Sequence, residues 1–202
     1  MLKASPNLHN AYVWHGQRVG LLGGSFNPPH AGHLHISRVA LRTLKLDAIW
    51  WLVSPGNPLK DPKSYAPLTN RLRDSQRMLA DEPRMLATDI EDTLGTHRTF
   101  DTLQALKGGF SHTDFVFLMG SDSAHSFHKW YRWQEIPSLT ALGILGRPPA
   151  QSLSQNSPLK MAPLSHRELS RAESVALQPG TCYWMNHHPL QVLASSDIRK
   201  TL

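Results

Sequence analysis

The stretch Gly23-Gly24-Ser25-Phe26-Asn27-Pro28-Pro29-His30-Ala31-Gly32-His33 decides how this chain is read. An apolar segment, Val19-Gly20-Leu21-Leu22, precedes it, and a helical pattern over residues 34–44 follows it. A buried strand, a glycine turn and a helix start together make a phosphate site. The first turn of a helix offers N–H groups without intrahelical partners and a partial positive charge. Gly23 and Gly24 let the backbone come close to a ligand. His30 and His33 stand three apart at the helix start, so both imidazoles point at whatever binds there. Such donors can follow charge developing on the α-phosphate of a nucleoside triphosphate without acting as nucleophiles. Two plainer readings compete. Gly-Gly after a strand is commonly a simple turn. Two histidines three apart could be metal ligands, but zinc asks for three or four and no Glu or Cys lies nearby.

Size and composition narrow the class. The chain has 202 residues, 40% hydrophobic and 18% charged, which suits one globular domain with a sizeable core. No apolar run approaches the roughly 20 residues of a membrane span. Residues 1–18 hold no continuous apolar stretch, which argues against a secretory leader. Cys182 is the single cysteine, so an internal disulfide is excluded and a reducing cytosol is expected. The formal charge of +6 attracts anions. Lysines and arginines are scattered, with no run longer than two, so nucleic acid is not expected as the partner. Small phosphorylated substrates account for the charge as well.

Residues 1–17 read as an irregular extension, and residues 18–202 as the domain. Strands are expected near residues 18–22, 48–53, 85–88, 114–119, 140–145 and 181–185. Helices are expected near 32–44, 69–80 (with Thr69 as a cap), 99–106 and 123–130. The runs Ile49-Trp50-Trp51-Leu52-Val53 and Phe115-Val116-Phe117-Leu118-Met119 are continuously apolar, as strands covered on both faces are. Strands alternating with helices imply an α/β fold with a doubly wound parallel sheet, Rossmann-like and single-domain. Ligands bind such sheets beyond the carboxyl ends of the strands. The loops 23–33, 54–60 and 120–131 fall there. Trp50, Trp51 and Trp133 are assigned to packing.

The opening stretch resembles the signature of the nucleotidylyltransferase superfamily, with its His-x-Gly-His motif. Its longer form resembles that of the bacterial nicotinate-nucleotide adenylyltransferases, although Asn27 stands where Asp is usual. Further segments match in the same order. Residues 54–60 resemble the loop that brings a lysine, here Lys60, to the substrate phosphates. Arg98-Thr99-Phe100-Asp101-Thr102-Leu103 resembles the family's Tyr-Thr-x-Asp-Thr-Leu, whose backbone near Thr99 holds the nicotinate carboxylate. Arg98 replaces the usual aromatic there, and a helix N-cap is the plain alternative for Thr99. Gly120-Ser121-Asp122 resembles a nucleotide-contacting turn, with Asp122 alternatively a helix cap. Trp130 and Tyr131 match the segment whose tryptophan stacks on the pyridine ring. Ser195, Ser196, Ile198 and Arg199 match the C-terminal Ser-Ser-x-x-Ile/Leu-Arg motif.

The resemblance implies transfer of the adenylyl group of ATP to nicotinate mononucleotide, releasing pyrophosphate, in NAD biosynthesis in the cytosol. It implies catalytic roles for His30, His33 and Arg199. It implies ATP contacts from Gly23, Gly24, Ser25, Phe26, Gly120, Asp122, Ser195, Ser196 and Ile198. Asn27, Lys60, Thr99, Trp130 and Tyr131 would meet the mononucleotide. Mg²⁺ would arrive with ATP, and no residue is assigned as a metal ligand. The sequence leaves open whether the protein is a homo-oligomer. Two other functions stay in view: an adenylyl- or cytidylyltransferase with a different acceptor, and a nucleotide-binding regulator without turnover.

Overall fold

Seven strands form one sheet in the order β3-β2-β1-β4-β5-β7-β6, and every neighbouring pair is parallel. The strands are β1 (Arg18–Gly24), β2 (Ala48–Val53), β3 (Met85–Thr88), β4 (Asp114–Gly120), β5 (Ala141–Leu145), β6 (Ser165–Glu168) and β7 (Thr181–Met185). This computed structural model describes residues 5–56, 66–146 and 157–185. The chain is thus a doubly wound α/β domain with a Rossmann-like sheet, as the alternation of apolar runs and helical patterns predicts.

Period-two alternation assigns each strand residue to a face. Ile49, Trp51 and Val53 of β2 and Val116 and Leu118 of β4 enter one core. Trp50, Leu52, Phe117 and Met119 enter the other. Helices α1 (Ala31–Thr43) and α2 (Leu68–Met78) cover the first face. Helices α3 (Ile90–Thr93), α4 (Thr99–Gly109), α5 (Ser121–Ser126) and α6 (Ile136–Leu139) cover the second. Two glycines admit Leu118 between adjacent strands. A Cβ at Gly20 would stand 2.8 Å from Leu118 Cδ1, and one at Gly143 2.8 Å from Leu118 Cδ2. No helix among the described residues is long and apolar enough to cross a membrane.

Several expectations change. The segment before β1 is not irregular: Leu8–Trp14 is a 3-10 helix started by the Asn7 side chain, which accepts from the N–H groups of His9 and Asn10. Trp14 is buried and meets Trp50 edge-on, with ring centroids 4.7 Å apart. Gly23 and Gly24 are not the turn but the last two residues of β1, paired with Leu52 and Val53. Thr69 does not cap α2, because the helix already begins at Leu68 behind Pro67. The helix expected over residues 123–130 splits into α5 and a 3-10 turn at Phe127–Lys129. Edge strand β6 escapes a sequence reading because its side chains, Ser-His-Arg-Glu, are mostly exposed and carry no apolar pattern.

Candidate active site

The chain leaves β1 through Ser25 and enters α1 at His30. Between them Phe26 takes a left-handed conformation, φ +45°. That conformation costs a non-glycine residue on the order of 1 kcal/mol. Burial holds it there: the Phe26 ring is wholly buried, stacked on Trp51 at 4.8 Å and tilted against His33 at 4.6 Å. The two motif histidines then build the helix start themselves. His30 is the N-cap, and its Nδ1 accepts the Gly32 N–H at 3.1 Å. Nδ1 of His33 accepts the His30 N–H at 3.2 Å. This is the reciprocal geometry of a capping box, with imidazoles in place of the usual hydroxyl and carboxylate. Because both Nδ1 atoms accept, the neutral rings carry their hydrogen on Nε2. The rings lie 3.8 Å apart, tilted by 35°.

A cavity of about 630 Å³ opens at the carboxyl ends of β1, β2 and β4, with Gly23, Gly24, Ser25 and His33 on one wall. Arg98 and Thr99 at the start of α4, with Trp130 and Tyr131, line the other. A smaller hollow of about 100 Å³ shares Gly23, His33 and Trp130 and adds Gly120 and Asp122. The position follows from topology. β1 and β4 are neighbours, yet α1 leaves β1 over one face and α5 leaves β4 over the other, so a crevice must open between them.

Helix α4 offers donors to this cavity. Its cap is Arg98 rather than Thr99, which is already the first helical residue, and no described side chain caps the first turn. The Arg98 guanidinium carbon lies 4.3 Å from the centroid of Tyr131, a ring that is 47% exposed. Trp130 is half-buried, held edge-on by Phe117 at 6.0 Å and tilted against Phe127 at 5.2 Å. Arg98 and Lys129 make this wall cationic.

Not every predicted site residue arrives here. His30 is buried behind His33 and lines neither hollow. The Phe26 side chain belongs to the core. Asn27 is buried, and its Oδ1 accepts the Ala66 N–H at 3.2 Å, so its amide ties down the chain that leads into α2. Asp122 is not the N-cap of α5; that position is Gly120. Lys60, Ser195, Ser196, Ile198 and Arg199 lie outside the described residues.

The structure adds Glu91, which lines the cavity although only 8% of its surface is exposed. It accepts the Thr102 hydroxyl at 2.9 Å. Burial pushes its carboxyl up to about 7, with the Thr102 bond opposing the rise. In sequence it sits in Asp89-Ile90-Glu91-Asp92, which reads as solvated acids, so nothing there signals burial. Ser123, within the loop 120–131 expected at the ligand side, lines both hollows. Among the described residues no three His, Cys, Asp or Glu gather as metal ligands.

Comparison with known proteins shows the family and the fold. The cytidylyltransferase-like family matches residues 21–201. A protein of Cereibacter sphaeroides named "Probable nicotinate-nucleotide adenylyltransferase" is 46% identical over 91% of this chain and 97% of its own. One of the same name from Methylorubrum extorquens is 43% identical over 90% of this chain and 98% of its own. The fold matches Plasmodium falciparum nicotinic acid mononucleotide adenylyltransferase complexed with NaAD. That match has a TM-score of 0.66 at 18% identity and covers 91% of this chain and 83% of the other. The chain therefore belongs to the cytidylyltransferase-like family, among the relatives that carry the nicotinate-nucleotide adenylyltransferase name.

Proposed function

We propose that this protein transfers the adenylyl group of ATP to nicotinate mononucleotide, giving nicotinate adenine dinucleotide and pyrophosphate. The observation that carries the reading is one cavity with two different walls. One wall is His33, at the start of α1 beside the end of β1, whose Nε2–H suits a polyphosphate. The other is the uncapped first turn of α4 with Arg98 and the aromatic pair Trp130 and Tyr131, which suits a flat ring bearing a carboxylate. The relatives named for this reaction match nine-tenths of the chain.

The attacking group, the mononucleotide phosphate, is already an anion, so no general base is required. Catalysis is positioning plus charge stabilisation. Nε2–H of His33, with His30 fixing its ring from behind, stabilises charge on the α-phosphate. Gly23, Gly24 and Ser25 let the triphosphate lie against backbone. Gly120 and Asp122 border the nucleotide, and Trp130 and Tyr131 hold the pyridine. By their places in the motifs, Lys60 and Arg199 bring cations to the mononucleotide phosphate and the triphosphate, and Ser195, Ser196 and Ile198 complete the ATP side. Magnesium enters as part of the substrate MgATP. The setting is the cytosol.

The test is pyrophosphate release from MgATP with nicotinate mononucleotide, nicotinamide mononucleotide, pantetheine phosphate and choline phosphate offered in turn. Release with the first, and chromatographic identification of the dinucleotide, is the expected result. Release only with another acceptor overturns the assignment of substrate, and no release with any overturns the enzyme.

A further inference from the structure

Arg71 on α2 is 3% exposed and does not line the cavity. Its guanidinium reaches four backbone carbonyls in three segments. Nε donates to Ala66 at 2.8 Å, Nη1 to Ser25 at 2.7 Å and to Ser54 at 2.8 Å, and Nη2 to Pro55 at 3.3 Å. Ser25 belongs to the loop after β1, Ser54 and Pro55 to the loop after β2, and Ala66 to the entry of α2. Ser25 and Ser54 line the cavity. The two loops are otherwise joined by the Ser54 N–H donating to Gly24 at 3.0 Å, where the strand pairing ends. The Asn27 amide adds a second tie to Ala66. A planar fork with five fixed donors can hold several carbonyls in set directions, whereas a lysine ammonium concentrates its donors on one atom.

We propose that Arg71 is a positioning residue for the transfer reaction, setting the distance between the loop after β1 and the loop after β2. This rests on the functional reading above, in which the first loop carries the adenylyl donor, and Ser54 of the second borders the same cavity. In-line attack depends on that distance, and a misplacement of about 1 Å can cost on the order of 100-fold. Binding of either substrate by itself does not depend on it.

The experiment compares wild type with Arg71→Lys and Arg71→Gln. Each is assayed well below its melting temperature and normalised to folded protein by circular dichroism. The expected result is a fall in kcat on the order of 10- to 100-fold, with KM for both substrates close to wild type, since geometry is lost and binding groups are kept. Lysine should restore little over glutamine, because it cannot span three segments. A variant with wild-type kcat, a loss expressed only as a rise in KM, or failure of both variants to fold would each overturn the proposal, the last in favour of a purely architectural clamp. A wild type inactive with nicotinate mononucleotide would overturn the functional reading instead, and the same comparison is then made with the acceptor that does turn over.

Discussion

Nδ1 of His33 accepts the backbone N–H of His30 at 3.2 Å, so the side chain that faces the cavity also closes the first turn of the helix that carries it. Nδ1 is taken by the cap, which leaves Nε2 as the ring nitrogen that can serve a ligand in the cavity. Rotating the imidazole to turn Nδ1 toward the cavity would break the cap.

His33→Ala should lose on the order of 100-fold or more in turnover, the range for one missing transition-state donor. It should also lose about 1 kcal/mol of stability through the cap. Steady-state kinetics and denaturant melts on the same sample check both. Turnover near wild type would remove His33 from the reaction. A loss confined to ATP affinity would make it a ground-state contact.

Glu91 gives a pH signature. Its carboxyl titrates near 7 in the folded protein, against an ordinary value of 4.5. As pH rises through that window the unfolded chain ionises while the folded one resists, so stability is lost between about 4.5 and 7 and is level above. Glu91→Gln has no such loss. Measured by denaturant unfolding, the variant should gain about 3 kcal/mol relative to wild type between pH 4 and pH 8. A pH-independent difference would show that Glu91 ionises normally.

Trp130→Ala should weaken nicotinate and nicotinamide mononucleotides alike, by about tenfold, the scale of one aromatic stacking contact. ATP binding should be nearly unchanged. Titrations of each ligand separately check this, and a selective loss of ATP would put the nucleotide base, not the pyridine, on Trp130.

Acceptor choice should come from the first turn of α4. Its N–H groups, with Arg98 beside them, suit a carboxylate; an amide would turn its own donors against them. The wild-type protein should prefer the acid by about 100-fold or more in kcat/KM. Equal use of the two acceptors would dissociate this helix end from the ring substituent, leaving adenylyl transfer intact.

What could be read in advance follows from what each residue does for its neighbours in sequence. The buried strands show as apolar runs because both faces are covered, and the first and fourth strands with their loops locate the crevice. The histidine motif is legible as a helix start at the end of the first strand because its geometry is local. Glu91 and Arg71 are silent because their roles are set by segments far away along the chain. Arg71 in Asn70-Arg71-Leu72-Arg73 looks like a solvated helix face, and only the fold brings Ser25 and Ser54 to its guanidinium. Asn27 lies inside the motif, but its tie to the Ala66 N–H, across 39 residues, shows only in the fold.

The Trp14 helix bears on where this protein can be cut. The indole shields Trp50, the Trp14 carbonyl accepts the Thr113 hydroxyl at 2.9 Å, and the Gly16 N–H donates to His112 at 2.7 Å. A Cβ at Gly109 would come within 2.3 Å of Leu8 Cδ2, so α4 has been left bare of a side chain where this helix crosses it. A shortened protein starting at the first strand would keep the walls of the cavity and still uncover the Trp50 indole. Cuts and fusion junctions inside Leu8–Trp14 therefore damage the core, although none of these residues lines the cavity.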